Sequence, residues 1–299
     1  MTISTFLQLD FPPLLAAMLA GGTCGLLGSF LVLRRESLLG DALSHAVLPG
    51  IVAGFALTGL RSAVPMLTGA LIAALLATAA IGWVRRVARL EAGAATGLVF
   101  TGFFAAGLVL LEATGARNAD LDMDCVLFGQ LETLVWLEAQ GIASLWDAAA
   151  LAGLPRQIGL LAGVAAAALL FVLGFWRTLR LIAFDPDFAR SLGVRVGGWE
   201  LALNLMIAAA AVAAFESVGS ILVVAMLVCP AVALRLATDR YGAQVWGSAA
   251  LGAGLGAAGV LLAGPLPAAL GGDFALNAAG LIGTLGGLVV MGALLARRV

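Results

Sequence analysis

Residues 40–50 read GDALSHAVLPG, and Asp41 and the chain's only histidine, His45, stand four positions apart with Ser44 beside them. On a helix that spacing puts both side chains on one face, about 6 Å apart at Cβ. A carboxylate oxygen and an imidazole nitrogen suit zinc, manganese or ferrous iron. Two donors are too few for a closed site. A symmetric dimer with these helices facing across its axis would supply two aspartates and two histidines. The plainer alternative is that Asp41 and His45 bond to each other or to a neighbouring helix. The string is not HExxH, so an intramembrane zinc protease has little support. Pro49 and Gly50 interrupt the helix just beyond, and irregular backbone in a membrane is tolerated where it lines a cavity.

The elements that must hold this pair are very apolar. The chain of 299 residues is 62% hydrophobic and 11% charged, with a mean hydropathy of +1.10; a soluble domain carries about 25% charged residues. That composition implies an all-α, polytopic membrane bundle. Abundant glycine and alanine suit helices packing closely in lipid. Apolar runs predict spans near 13–33, 38–60, 63–84, 93–112, 157–176, 200–216, 218–235, 243–264 and 276–296. The division at Glu216, Ser217 and Gly219 is the weakest, which leaves eight or nine spans, with nine favoured. The first run lacks a basic leader and is expected to be a retained span. No linker or repeat divides the chain, so residues 1–299 are expected to form a single membrane domain.

All sixteen basic residues are arginine. Nine spans place thirteen of them on one side, leaving Arg61, Arg117 and Arg156 on the other; the basic excess marks the cytoplasmic side. The missing lysine excludes a Walker A loop in this chain, so any ATP-driven work falls to another chain. No basic tract points to nucleic acid. Cys24, Cys125 and Cys229 form no CxxC pair and read as small buried residues.

Two loops stand out. The external stretch 112–156 holds Glu112, Asp120, Asp122, Asp124, Glu132, Glu138 and Asp147 against two arginines. It reads either as an electronegative vestibule for cations or as an ordinary solvated loop. Within it, residues 132–149 are expected to form a short interfacial helix with both tryptophans at headgroup level. The internal stretch 177–200 contains Asp185 and Pro186, an N-cap acceptor followed by a proline at the first helical position. Gly193 suits a left-handed stop. The resulting two-turn helix is too short to be stable alone.

As a string, GSFLVLRRESLLGDALSHAVLPGIVAGF (28–55) resembles the signature of the permease subunits of bacterial ABC transporters for zinc, manganese and iron. DMDCVLFGQL (122–131), AFDPDFARSLGV (183–194) and VGSILVVAMLVCPAVAL (218–234) resemble further segments of that family, in its order. The resemblance covers nearly the whole chain. It implies a homodimeric, occasionally heterodimeric, channel in the cell membrane (the inner membrane in a Gram-negative bacterium). Two cytoplasmic ATP-binding subunits dock below, and an extracytoplasmic metal-binding protein delivers the ion. It implies that Asp41 and His45 are the intramembrane metal ligands, with no permanently bound cofactor and a transported zinc, manganese or iron ion as cargo. It also implies that Asp185, Pro186, Asp187, Phe188, Ala189, Arg190 and Gly193 form the coupling helix that meets the ATPase. A competing class is an ion-coupled secondary transporter without ATPase partners. A third is a non-transporting membrane subunit in which Asp41 and His45 only join helices.

Overall fold

The computed structural model describes residues 3–58, 63–114, 131–264 and 276–298. Among these residues the regular structure is helical, with no strand. In chain order the helices are α1 (Ile3–Leu9), α2 (Phe11–Leu33), α3 (Ser37–Ala46), α4 (Leu48–Thr58), α5 (Ala63–Ala88), α6 (Ala92–Ala113), α7 (Ala148–Ala152), α8 (Arg156–Gly174), α9 (Trp176–Phe184), α10 (Pro186–Ser191), α11 (Val196–Val218), α12 (Ser220–Ala237), α13 (Tyr241–Ala263) and α14 (Ala278–Arg298). Among the described residues, eight helical stretches are long and apolar enough to cross a membrane, with α3 and α4 counted together as one; the apolar part of α12, Leu222–Ala237, is shorter. The protein is therefore an all-α, multi-pass membrane bundle.

The weak division falls at Gly219, where φ is +77°. Its N–H still donates to the Phe215 carbonyl, and α12 begins at the next residue. A residue without Cβ is what that backbone conformation needs.

Small residues set the centre. Antiparallel α2 and α13 meet through Gly21, Gly25, Gly252 and Gly256, two GxxxG patterns. A Cβ on Gly21 would meet the Gly252 carbonyl, and one on Gly252 the Gly21 carbonyl. Water drives no association between helices in lipid, so such backbone approach supplies the packing contact. Gly28 makes the same kind of contact with Leu227 of α12, and Gly50 of α4 with Gly69 of α5.

Arginine-bearing ends gather on one side. Arg34 at the end of α2 pairs with Glu200 of α11, Arg85 of α5 with Glu36 before α3, and Arg180 of α9 lies over the Tyr241 ring of α13. At the opposite end, Glu132 Oε1 accepts from Ala278 N at the start of α14.

The expected interfacial helix over 132–149 is not formed. Single helical turns occupy Leu131–Thr133 and Ile142–Leu145. Trp136 is fully buried and packs with Leu7, Ala139 and Ala150; its Nε1 donates to the Ala150 carbonyl at 2.7 Å. Gln8 of α1 ties the segment down, accepting from Trp136 N and donating to the Ala139 carbonyl. Of the two tryptophans, Trp146 faces outward, 88% exposed. Partners in α1 override the local pattern.

Candidate metal centre

The turn after α2 fixes where α3 starts. Arg35 takes a left-handed φ of +58°, and Glu36 N reaches back to the Leu31 carbonyl. Helix α3 then buries Leu39, Ala42, Leu43 and Ala46. Gly40 lies against Leu31 of α2 and Leu227 of α12, so the residue before Asp41 is a close packing point. The opposite face carries the polar pair.

Asp41 Oδ1 and His45 Nε2 are 3.5 Å apart, with side chains 42% and 24% exposed. The predicted face-sharing is therefore real. The imidazole is walled by Phe100 and Phe104 of α6, each ring centroid 5.7 Å away. One turn later the helix breaks at Val47, whose carbonyl accepts from both Gly50 N and Ile51 N. Pro49 has no N–H to give the His45 carbonyl, and the break is pressed against Gly107 of α6. Among the described residues, no group of three or more His, Cys, Asp or Glu side chains could hold a metal. The pair brings two possible metal-donor groups together. It can offer a divalent cation one carboxylate and one imidazole, with water or a second chain completing the shell.

The expected short capped helix after Asp185 also forms. Asp185 caps α10, its Oδ1 accepting from Phe188 N at 2.9 Å with Pro186 at the first position. Asp187 and Arg190 pair along the helix. Gly193, at φ +81°, ends it. Ala189 is buried with Ile182 and Val196 and anchors the helix to the bundle. Phe188 and Leu192 are exposed, an apolar pair one turn apart.

Phe100 and Phe104, spaced i, i+4, escaped the sequence reading because two phenylalanines in an apolar run look like any core. The links from Arg34 to Glu36 (2.7 Å) and Glu200 were equally hidden, since Glu200 lies far along the chain. Of the external acids, Glu132 caps α14 and the Glu138 carboxylate packs on Gly153. Asp120, Asp122, Asp124, Cys125, Arg61, Arg117 and most of 122–131 fall outside the described residues.

The chain is 35% identical over 265 residues to the manganese transport system membrane protein MntC of Bacillus subtilis, covering 87% of this chain and 57% of that protein. It is 33% identical over 255 residues to the zinc transport system membrane protein TroC of Treponema pallidum, covering 85% and 79%. Its backbone is similar to that of PsaBC from Streptococcus pneumoniae in complex with Fab, with a TM-score of 0.75, 26% identity, and 95% and 90% of the two chains covered. The sequence profile of the ABC 3 transport family matches residues 7–146 and 147–283, nearly the whole chain, and the chain belongs to that family.

Proposed function

We propose that this chain is the membrane permease subunit of an ATP-driven importer of a divalent transition metal. One observation carries the reading: an Asp41–His45 pair, its side chains 42% and 24% exposed, on one face of a broken membrane helix. A second copy of the chain faces it across a twofold axis and brings the matching pair. An extracytoplasmic binding protein releases the ion at that site. Neutral imidazole and ionised carboxylate hold it, and the incomplete shell lets it leave. Two ATP-binding subunits dock on α10, whose exposed Phe188 and Leu192 supply an apolar contact. Their closure moves α10 and, through Ala189, the bundle. The lysine-free chain contributes no phosphate loop of its own. Imidazole favours zinc, while manganese and ferrous iron can use the same donors; manganese and zinc relatives lie at comparable identity.

The test is accumulation of zinc, manganese and iron, in parallel, by cells carrying the complete transporter. Asp41→Ala is expected to abolish uptake of one metal with the protein still in the membrane, which names the cargo. Unchanged uptake of all three would reduce the pair to helix packing. Uptake that persists without any ATP-binding subunit would favour an ion-coupled transporter.

A further inference from the structure

At the arginine-rich end, a cavity of about 860 Å³ opens among α2, α3, α5, α6 and α11, lined by Arg34, Arg35, Arg85, Arg86, Arg89 and Arg190 against Glu36 and Glu200. The two glutamates are already engaged. Glu36 pairs with Arg34 and Arg85, and Glu200 with Arg34. Arg190 pairs with Asp187 of its own helix. No ion pair to Arg35 or Arg89 forms among the described residues, and both hold left-handed backbone, φ +58° and +52°.

Three helix starts face the same space. Ser37 and Leu38 of α3, Ala92 and Gly93 of α6, and Gly197 of α11 line it. None of the three helices has an acidic first turn or a side-chain cap. Among the described residues, Ser37 and Leu38 of α3 and Ala92 and Gly93 of α6 keep N–H groups without a backbone acceptor, whereas at α11 Val196 and Gly198 N–H donate to the Val194 and Arg195 carbonyls and leave Gly197 N–H; each start carries about half a positive charge. A Cβ on Gly197 would meet nothing, so its backbone is open to close approach.

Buried polar groups border the cavity without partners. Asn204 is 6% exposed and its Oδ1 accepts nothing. Arg34 has a side chain 8% exposed, and its Nη1 donates to nothing; Thr78 Oγ1 is likewise unbonded. A carboxamide turned about its last torsion presents NH2 where its oxygen stood. All three are then donors on three different helices bordering one cationic space. Polar groups buried without partners are rare in folded proteins.

We propose that this cavity is a binding site for a phosphate-ester anion, and specifically for the headgroup of an anionic phospholipid. Guanidinium forks and helix N-termini are the two standard cradles for phosphate oxygens. The size of the cavity and its apolar edge choose the lipid. Leu38 and Leu90 line it and are exposed, and Trp83 and Val87 lie exposed at the same end of α5. Indole at headgroup depth with arginine beside it is an interfacial pattern. The proposal rests on the function above only for orientation, which puts this end at the cytoplasmic leaflet. Because Ser37 and Arg190 border one space, a bound headgroup would link the helix bearing Asp41 to α10.

The experiment uses the complete transporter purified into nanodiscs of phosphatidylcholine, with or without phosphatidylglycerol. Retained lipid is counted by native mass spectrometry. The double variant Arg35→Gln/Arg89→Gln alters exposed side chains. It should weaken phosphatidylglycerol retention roughly 25-fold, at about fivefold per arginine near an anionic surface. Arg297→Gln, basic but outside the cavity, should retain it. Asn204→Leu should weaken retention with both arginines present. Inorganic phosphate added to the phosphatidylcholine sample is the second arm. Binding that the double variant loses would assign the site to a soluble phosphate and overturn the lipid. Equal retention by wild type and the double variant, or no retention by either, overturns the site. Retention by the permease alone but not by the complete transporter means that the ATP-binding subunit covers the cavity, and also overturns the lipid. Asp41→Ala should leave retention unchanged, so failure here and failure of the metal site are separable.

Discussion

His45 is held between two kinds of neighbour, the Asp41 carboxylate along its own helix and the rings of Phe100 and Phe104 across on α6. The carboxylate supplies charge and the rings supply orientation. Asp41→Asn separates ligation from packing, because the amide can still hydrogen-bond to the imidazole but has no negative charge to offer a cation. Metal bound by the purified protein is expected to fall at least about tenfold in this variant; equal binding, read by equilibrium dialysis, would return the pair to a structural role. Phe104→Ala should act more gently. An aromatic contact is worth about 0.5–1.5 kcal/mol, so the half-saturating metal concentration for uptake should rise roughly 2- to 10-fold with the maximal rate little changed. The pair itself was readable from GDALSH, because i, i+4 geometry is local. Its walls were not, since nothing near Phe100 in sequence points to a residue 55 positions earlier.

At the scale of elements, α10 shows how a six-residue helix persists. It cannot propagate on its own and depends on Asp185 at one end, Gly193 at the other, and Ala189 inserted beneath. Asp185→Ala should cost about 1 kcal/mol locally. Under the proposed function it should lower metal transported per ATP hydrolysed in reconstituted vesicles, and Asp185→Ser, which restores an acceptor, should recover it. Identical ratios for all three would remove α10 from the coupling path. The α2–α13 contact is more rigid. Gly252→Leu forces a side chain into the Gly21 carbonyl, and overpacking of this kind costs about 1–3 kcal/mol or more. A lower thermal midpoint in detergent is the expected result. Both ends of α10 were legible because caps are written in adjacent residues. The Trp136 segment was misread because its hydrogen bonds come from Gln8, over a hundred residues away.

Over the whole molecule, charge and exposure divide the two ends. One end gathers the basic cavity, with Arg34, Arg35, Arg85, Arg86, Arg89 and Arg190, and the exposed Phe188 and Leu192. The other is closed by the small core around Trp136 and the Glu132 cap. If the first end receives an ATP-binding subunit, Phe188→Asp and Leu192→Asp together should reduce its copurification roughly tenfold or more, since an apolar anchor at an interface carries about 2 kcal/mol. Undiminished copurification would place the partner elsewhere. Most span positions could be read in advance, because about twenty apolar residues are a one-dimensional signal; the expected span 218–235 is the exception, its apolar helix Leu222–Ala237 being shorter than a full span. The convergence of three helix starts on one cavity could not, as it depends on how distant helices lean together.

The glycine contact between α2 and α13 also limits how the bundle can deform. With carbonyls seated where side chains would stand, neither helix can slip along the other by a residue without driving a Cβ into backbone. The two therefore behave as a single beam. If the bundle rocks as proposed, Arg34, at the end of that beam, moves together with Glu36, whose N–H is bonded to the Leu31 carbonyl of α2, and shifts relative to Glu200 of α11. The Arg34–Glu200 pair is then the contact expected to open and reclose.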